Sequence, residues 1–133
     1  MKKITILLVI IFTFLFSTTS WGDWNYVIKD VKGHKFYYDK DRVRKSGKFL
    51  YFWELQDYPK PDKRGELSMT IYVQLDCSIF RFKDLKYRSF NKSMGEGELT
   101  MDITPKGEQG EWRYPIPKSS GEVMYNKICE EHQ

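Results

Sequence analysis

From Leu67 to Asp76 the chain alternates without a break, Leu67, Met69, Ile71, Val73 and Leu75 against Ser68, Thr70, Tyr72, Gln74 and Asp76. A period of two is that of a half-buried β-strand, with one face apolar and one polar, as in an antiparallel sheet covered on a single side. Strand signals continue on either side of it. Trp24 to Lys29 reads as a first strand, and Gly33 with its polar neighbours turns the chain into a second, Lys35 to Asp39. A basic, glycine-containing loop follows, then a long aromatic strand from Lys48 to Tyr58 that Pro59, Pro61 and Gly65 bring to an end. Ile79 to Phe90 continues as a strand whose phase slips: Phe80 and Phe82 share one phase, Leu85 and Tyr87 the other, which predicts a bulge near Asp84. Gly95 and Gly97 mark a tight turn ahead of a short strand from Leu99 to Thr104. Pro105, Gly107 and Gly110 then form an irregular crossing, and Pro115 and Pro117 keep the segment around Trp112 from joining a regular ladder.

The period changes at the C-terminus. Ser119 stands three positions before Glu122, a capping-box spacing in which each side chain can satisfy an orphan amide of the first helical turn. A helix from about Ser120 to His132 is predicted, with Val123, Met124 and Ile128 on one side and Tyr125 and Cys129 adjacent.

The N-terminus carries a different pattern. Lys2 and Lys3 precede an apolar stretch from Ile4 to Phe16, followed by small polar residues up to Ser20, and this reads as a secretory signal over residues 1–22, cut between Gly22 and Asp23. The stretch falls short of the roughly 18–20 apolar residues that span a bilayer, so an uncleaved anchor is the weaker reading. Residues 23–133 then make one domain with a single core, and no transmembrane helix is expected after cleavage. Of 22 basic side chains, 20 remain once Lys2 and Lys3 are removed, against 18 acidic, a balance of +2. So small an excess, in an exported chain, does not point to nucleic acid.

Two cysteines in an oxidising compartment ordinarily close into a disulfide, and a bond between Cys77 and Cys129 would staple the last helix to the end of the most regular strand. A thiolate metal pair or a redox site competes with that reading but lacks a CxxC spacing, and His34 and His132 stand alone. No metal or cofactor is expected.

Several elements then appear in a familiar order: Trp24, Tyr37-Tyr38-Asp39, Trp53-Glu54-Leu55, Asp76-Cys77, Met94-Gly95-Glu96-Gly97, Trp112 and Cys129 in a terminal helix. In this the chain resembles the surface-adhesin E-like family of small exported proteobacterial proteins, over essentially the whole segment after the signal. The resemblance implies an α+β fold, a sheet of about six antiparallel strands with a C-terminal helix tied to it by a disulfide. It also implies a binding function directed at host extracellular-matrix or serum glycoproteins, and a capacity to form homodimers. The family's name-giving member is lipid-anchored. No cysteine follows the signal here, so the expectation is an exported protein of the periplasm or outer cell surface without a lipid anchor, and an envelope accessory module without adhesive role is the second reading.

Two basic clusters are candidates for contact with a protein or acidic glycan. Lys40, Arg42, Arg44 and Lys45 crowd one loop, with Lys48 close by, against the plain alternative of a solvated loop. Arg81, Lys83, Lys86 and Arg88 lie on the strand with the phase slip, and a bulge there lets all four face one side; deterrence of edge-to-edge aggregation is the simpler use of such charges. The aromatic run from Phe49 to Trp53 is expected mainly in the core, a minority of its rings lining a partner surface, and Trp112 is expected as a lid on the core. Catalysis has no support. The two histidines sit in a turn and at a helix end, and the pairs Glu96/Glu98 and Glu130/Glu131 occupy a turn and a solvated helix end.

Overall fold

The computed structural model describes residues 23–133, so the expected signal, 1–22, lies outside the described residues. Seven strands form one antiparallel sheet: β1 (Trp24–Lys29), β2 (Lys35–Asp39), β3 (Arg44–Ser46), β4 (Phe49–Asp57), β5 (Ser68–Asp76), β6 (Arg81–Phe90) and β7 (Leu99–Ile103). Among the described residues a single α-helix, α1 (Ser120–His132), follows the sheet. The sheet order is β1-β2-β4-β5-β6-β7, and β3 also pairs with β4. Strands β2 and β3 share one edge of β4, β2 against Glu54–Asp57 and β3 against Phe49–Tyr51.

Strand β3 lies in what reads as a loop. It is three residues long, charged and exposed, so it carries no apolar alternation, and the pairing of Ser46 with Phe49 closes it onto β4. The turn between them is two residues, Gly47-Lys48, and Gly47 takes the positive φ (+60°) that such a hairpin requires at its first central position.

In β6 the predicted bulge is present. Tyr72 pairs with Lys86 and Val73 with Asp84, so Leu85 is the extra residue. Its consequence is a change of phase: Phe82, Asp84, Tyr87 and Ser89 lie on one face with Ile71, Val73 and Leu75, while Arg81, Lys83, Lys86 and Arg88 lie on the other.

Helix α1 covers the first of these faces. Met124, Tyr125, Ile128 and Cys129 are buried against Leu50, Phe52, Ile71, Val73 and Leu75, whereas Val123, expected on the same side, is exposed. The cap departs slightly from the reciprocal box. Ser119 Oγ accepts from the Glu122 amide (3.2 Å), but the Glu122 carboxylate accepts from the Lys118 amide instead of that of Ser119. At the far end of the helix, Cys129 is bonded to Cys77 just beyond β5, with the Cα atoms 5.8 Å apart and a separation of 52 positions in sequence.

The covered face is not wholly apolar. Glu54 is buried beside Phe52 and accepts a hydrogen bond from the Tyr125 hydroxyl (3.3 Å). Asp84 is buried close by, where it accepts from the Tyr87 hydroxyl (2.8 Å) and pairs with Arg113. Burial pushes the Glu54 carboxyl up to about 8, the negative charge of Asp84 adding to the effect, and burial likewise raises Asp84. Arg113 reaches this site because its backbone bridges to Phe82 in both directions at 2.8 Å, an extra rung on the part of β6 that β7 does not reach.

Two outcomes follow for stability. In the chain-entropy description a loop of this length restricts the unfolded chain by about 4 kcal/mol, so replacing both Cys77 and Cys129 by Ala should lower the free energy of unfolding by roughly that amount in denaturant titrations. A loss below about 1 kcal/mol would show that the helix holds without its staple. A carboxyl whose pKa is raised in the fold contributes stability that is complete below its ordinary value of 4.5 and is lost as pH rises through about 8. The melting temperature should therefore fall between about pH 4.5 and pH 8, and Glu54→Gln should flatten that fall, by about 4–8 °C for each kcal/mol released. An identical slope in the variant would assign the alkaline loss elsewhere.

Candidate functional site

The face of the sheet turned away from α1 is where the sequence's two basic clusters meet. Cross-strand pairing lays its residues out in rows. Arg44, Tyr51, Gln74 and Lys83 form one row across β3, β4, β5 and β6, and Trp53, Tyr72 and Lys86 form the next. Phe49, Asp76 and Arg81 form a row toward one end, and Leu55, Thr70, Arg88 and Asp102 a row toward the other. The result is a band of aromatic rings flanked on both sides by cations.

The cations are held against those rings. The Arg44 guanidinium lies 5.1 Å from the Tyr51 ring centre, that of Arg88 5.1 Å from Trp53, and that of Arg81 4.4 Å from Trp112. These are cation–π distances, and the attraction reduces the freedom of side chains that would otherwise sweep through solvent. The rings also stack on each other, Trp53 on Tyr72 at 5.0 Å and Phe49 on Trp112 at 5.5 Å. Trp112 is thus part of this face and not a lid on the helix-side core. In the same way only alternate residues of the aromatic run are core: Leu50 and Phe52 are buried under α1, and Phe49, Tyr51 and Trp53 face the other way, half-buried.

Three aspartates are set among the cations. Asp76 is fully buried, takes hydrogen bonds from Ser78, and lies 3.4 Å from Arg81 Nε and 3.8 Å from Lys48 Nζ. The Ser78 bonds, helped by these two cations, hold its carboxyl below the usual range. Asp102 on β7 bridges Lys86 (2.9 Å) and Arg88 (3.6 Å), and the Lys86 bond keeps it ionised to lower pH than usual. Asp39 pairs with Arg42 at 3.4 Å, but burial dominates and raises its pKa.

The loop cluster predicted from sequence is divided by the fold. Arg42 and Arg44 reach the open face, whereas Lys40 lies 3.6 Å from Glu131 of α1 and Lys45 sits opposite Leu50 beside Cys77 and Gln133. All four bases of β6 share the open face, as the bulge requires.

Toward the β1 end of this face is a depression of about 200 Å³ lined by Trp24, Asp39, Arg42, Trp53, Arg88 and Phe90, with Met94 and Gly95 at its rim. It is made from six segments, Thr70 of β5 among them. Trp24 pairs with Asp39 across β1 and β2, Phe90 ends β6, and the 3-10 turn Ser93–Gly95 folds over Leu55 and Thr70. Asp57 and Ser68 hold that turn, the carboxylate accepting from the Met94 amide (2.8 Å) and the hydroxyl from the Gly95 amide (2.9 Å). Gly95 has a positive φ of 69°, and an added Cβ would lie 3.6 Å from Leu55 and Thr70. Trp24, Asp39 and Phe90 were not singled out by the sequence as site residues. Asp39 follows Tyr38 in a strand of alternating phase, and that phase was the signal available for it.

The histidines lie elsewhere. His34 is 3.4 Å from Asp30 and beside Tyr58, and His132 packs edge-on to Tyr38. Among the described residues no group of three His, Cys, Asp or Glu side chains could hold a metal ion, and no helix is long and apolar enough to cross a membrane.

Known proteins of this shape exist. A structure of Haemophilus influenzae protein E superposes with a TM-score of 0.60 at 17% identity, covering 87% of this chain and 89% of that one. A second crystal form of it gives 0.61 at 17% identity, over 87% and 93%. Protein E from non-typeable Haemophilus influenzae gives 0.55 at 18% identity, over 86% and 79%. Identity this low shows a shared fold. None of the curated proteins matches the sequence. The family model for surface-adhesin protein E, however, matches residues 24–130, which takes in every strand and nearly all of the helix. With its antiparallel sheet, its terminal helix and the disulfide between them, this chain belongs to the surface-adhesin protein E family.

Proposed function

We propose that the chain is an exported adhesin that works by binding, and that its open sheet face engages host extracellular-matrix or serum glycoproteins. The observation that supports this most directly is the convergence of Arg42, Arg44, Arg81, Lys83, Lys86 and Arg88 on one face, interleaved with Tyr51, Trp53, Tyr72 and Trp112. Aromatic rings and arginines are the residues that contribute most at protein interfaces, because they bury large area and make directional bonds with few free torsions. A helix already covers the other face of the sheet. The open face is therefore the one with side chains to spare for a partner.

The charge on this face is positive but locally compensated by Asp39, Asp76 and Asp102. Such a surface attracts acidic glycoproteins without binding every polyanion, since Arg42, Arg81, Lys86 and Arg88 exchange one carboxylate partner for another. Membership of a family described as surface adhesins supports the same direction and a site of action outside the cytoplasm.

Replacing Arg44, Lys83 and Lys86 together by Gln should weaken capture of the mature domain on an immobilised sialylated serum glycoprotein by about tenfold, with a smaller dependence on salt than the parent protein shows. The pair Lys40→Gln and Lys45→Gln, on the other side of the sheet, should leave capture unchanged. Protease treatment of intact cells should cut the native protein. Complete protection there, with equal capture by all variants, would overturn the adhesin in favour of an accessory module of the cell envelope.

A further inference from the structure

The depression at the β1 end of the open face has a more specific chemistry than the rest of that surface. The geometry points to a binding site for a single carboxylate-bearing sugar, a sialic or uronic acid unit of a glycan, held between Arg42 and Arg88. This inference rests on the open face being the binding surface, and it names what one part of that face recognises.

Each guanidinium faces an aspartate with its Nε at ion-pair distance, without a hydrogen bond, and its terminal nitrogens are free. Arg42 Nε lies 3.4 Å from Asp39, and Arg88 Nε lies 3.6 Å from Asp102 while the guanidinium rests on Trp53. The side chains are 60% and 43% exposed, and neither terminal fork makes a hydrogen bond to another described residue. A guanidinium fixed in this way presents two parallel N–H donors to a carboxylate and loses little freedom in doing so. Two of them on one small depression favour a negatively charged group over a neutral one.

The walls are apolar and the floor is not. Trp24, Trp53 and Phe90 offer ring surface to the C–H groups of a pyranose, while Asp39, only 2% exposed, has an Oδ1 with no hydrogen-bond partner. A buried acceptor left unpaired is costly, and a small rotation of the Asp39 carboxylate toward the depression it lines would let a sugar hydroxyl satisfy it. An acidic side chain of a peptide would use the forks alone. At about 200 Å³ the space is smaller than the roughly 300–1,000 Å³ of sites for drug-sized molecules, which suits one ring and not an oligosaccharide.

The test is titration of the mature domain with N-acetylneuraminic acid, glucuronic acid and glucose, followed through the indole N–H resonances. Saturable shifts with a Kd on the order of 1 mM are expected for one or both acids and not for glucose. Arg42→Gln and Arg88→Gln should each weaken binding at least about tenfold, and Lys45→Gln on the opposite face should not. Arg42 is the more exposed of the two, so its variant keeps the test decisive if Arg88→Gln does not melt cooperatively. Comparing the two acids separates a sialic from a uronic source. Equal response to glucose, no saturable response, or displacement only by an acidic peptide would overturn the inference. If the acids do not bind but the domain still captures a glycoprotein stripped of sialic and uronic acids, the sugar site fails while the adhesive face stands. If capture fails as well, both fail.

Discussion

One extra residue in β6 governs the character of both faces of this sheet. Side chains alternate across a strand, so without Leu85 as a bulge the residues before and after it could not keep their present faces. A regular strand that kept Phe82 and Asp84 under the helix would send Lys86 and Arg88 there as well. Two charged side chains would then lie against Tyr125 and Ile128 with no room for water, and Tyr87 would be turned out to solvent. With the bulge, Phe82, Asp84 and Tyr87 serve the core, and the four bases join Tyr51, Trp53 and Tyr72 on the open side. The core and the candidate binding surface are two results of one register shift.

This is also why so much of the fold was legible. The slip in phase between Phe82 and Tyr87 locates the bulge from sequence alone, and the strict alternation of Leu67 to Asp76 marks the strand about which the sheet is arranged. The terminal helix announces itself through Ser119 and Glu122, and the pair of cysteines through compartment and count. What escaped was decided at longer range. Strand β3 is held by its pairing to β4, not by any pattern of its own, and so Lys40 and Lys45 could not be separated in sequence from Arg42 and Arg44. The placement of Trp112 depends on the backbone bridge between Arg113 and Phe82, 31 residues apart in number but adjacent in the sheet. Likewise Ser68, Thr70 and Asp76 belong to the polar phase of β5 yet are buried, because Lys92 and Gly95 come down on the first two from beyond β6 and Arg81 closes over the third from across the hairpin.

The two buried acids on the helix side and the three aspartates on the open side have different work to do. Glu54 and Asp84 sit where burial favours the neutral acid, held by Tyr125, Tyr87 and Arg113, and they tie β4, β6 and the 112–113 segment to the underside of α1. Asp76 and Asp102 sit where hydrogen bonds and cations favour the charged form. Asp39 stands between these conditions, buried enough for its pKa to rise but paired with a cation at the surface. It is the one open-face aspartate with a buried oxygen left unpaired, and it lines the depression.

Pairing of this kind is easily read as neutralising the face and removing its use. The geometry argues the reverse. An unpaired surface arginine samples many rotamers, and a partner must immobilise it at a cost of about 0.5–1.5 kcal/mol for each side chain ordered. Arg81 gives one nitrogen to Asp76, Arg42 and Arg88 lie within ion-pair distance of Asp39 and Asp102, and Arg81 and Arg88 lie against tryptophan rings, so part of that ordering is complete before any ligand arrives. The remaining donors keep a fixed direction. Compensation by Asp39, Asp76 and Asp102 lowers the long-range field that would draw indiscriminate polyanions, while leaving the short-range forks that distinguish a carboxylate in the right place from one that is merely near. Selectivity on this face therefore comes from how its cations are held, more than from how many there are.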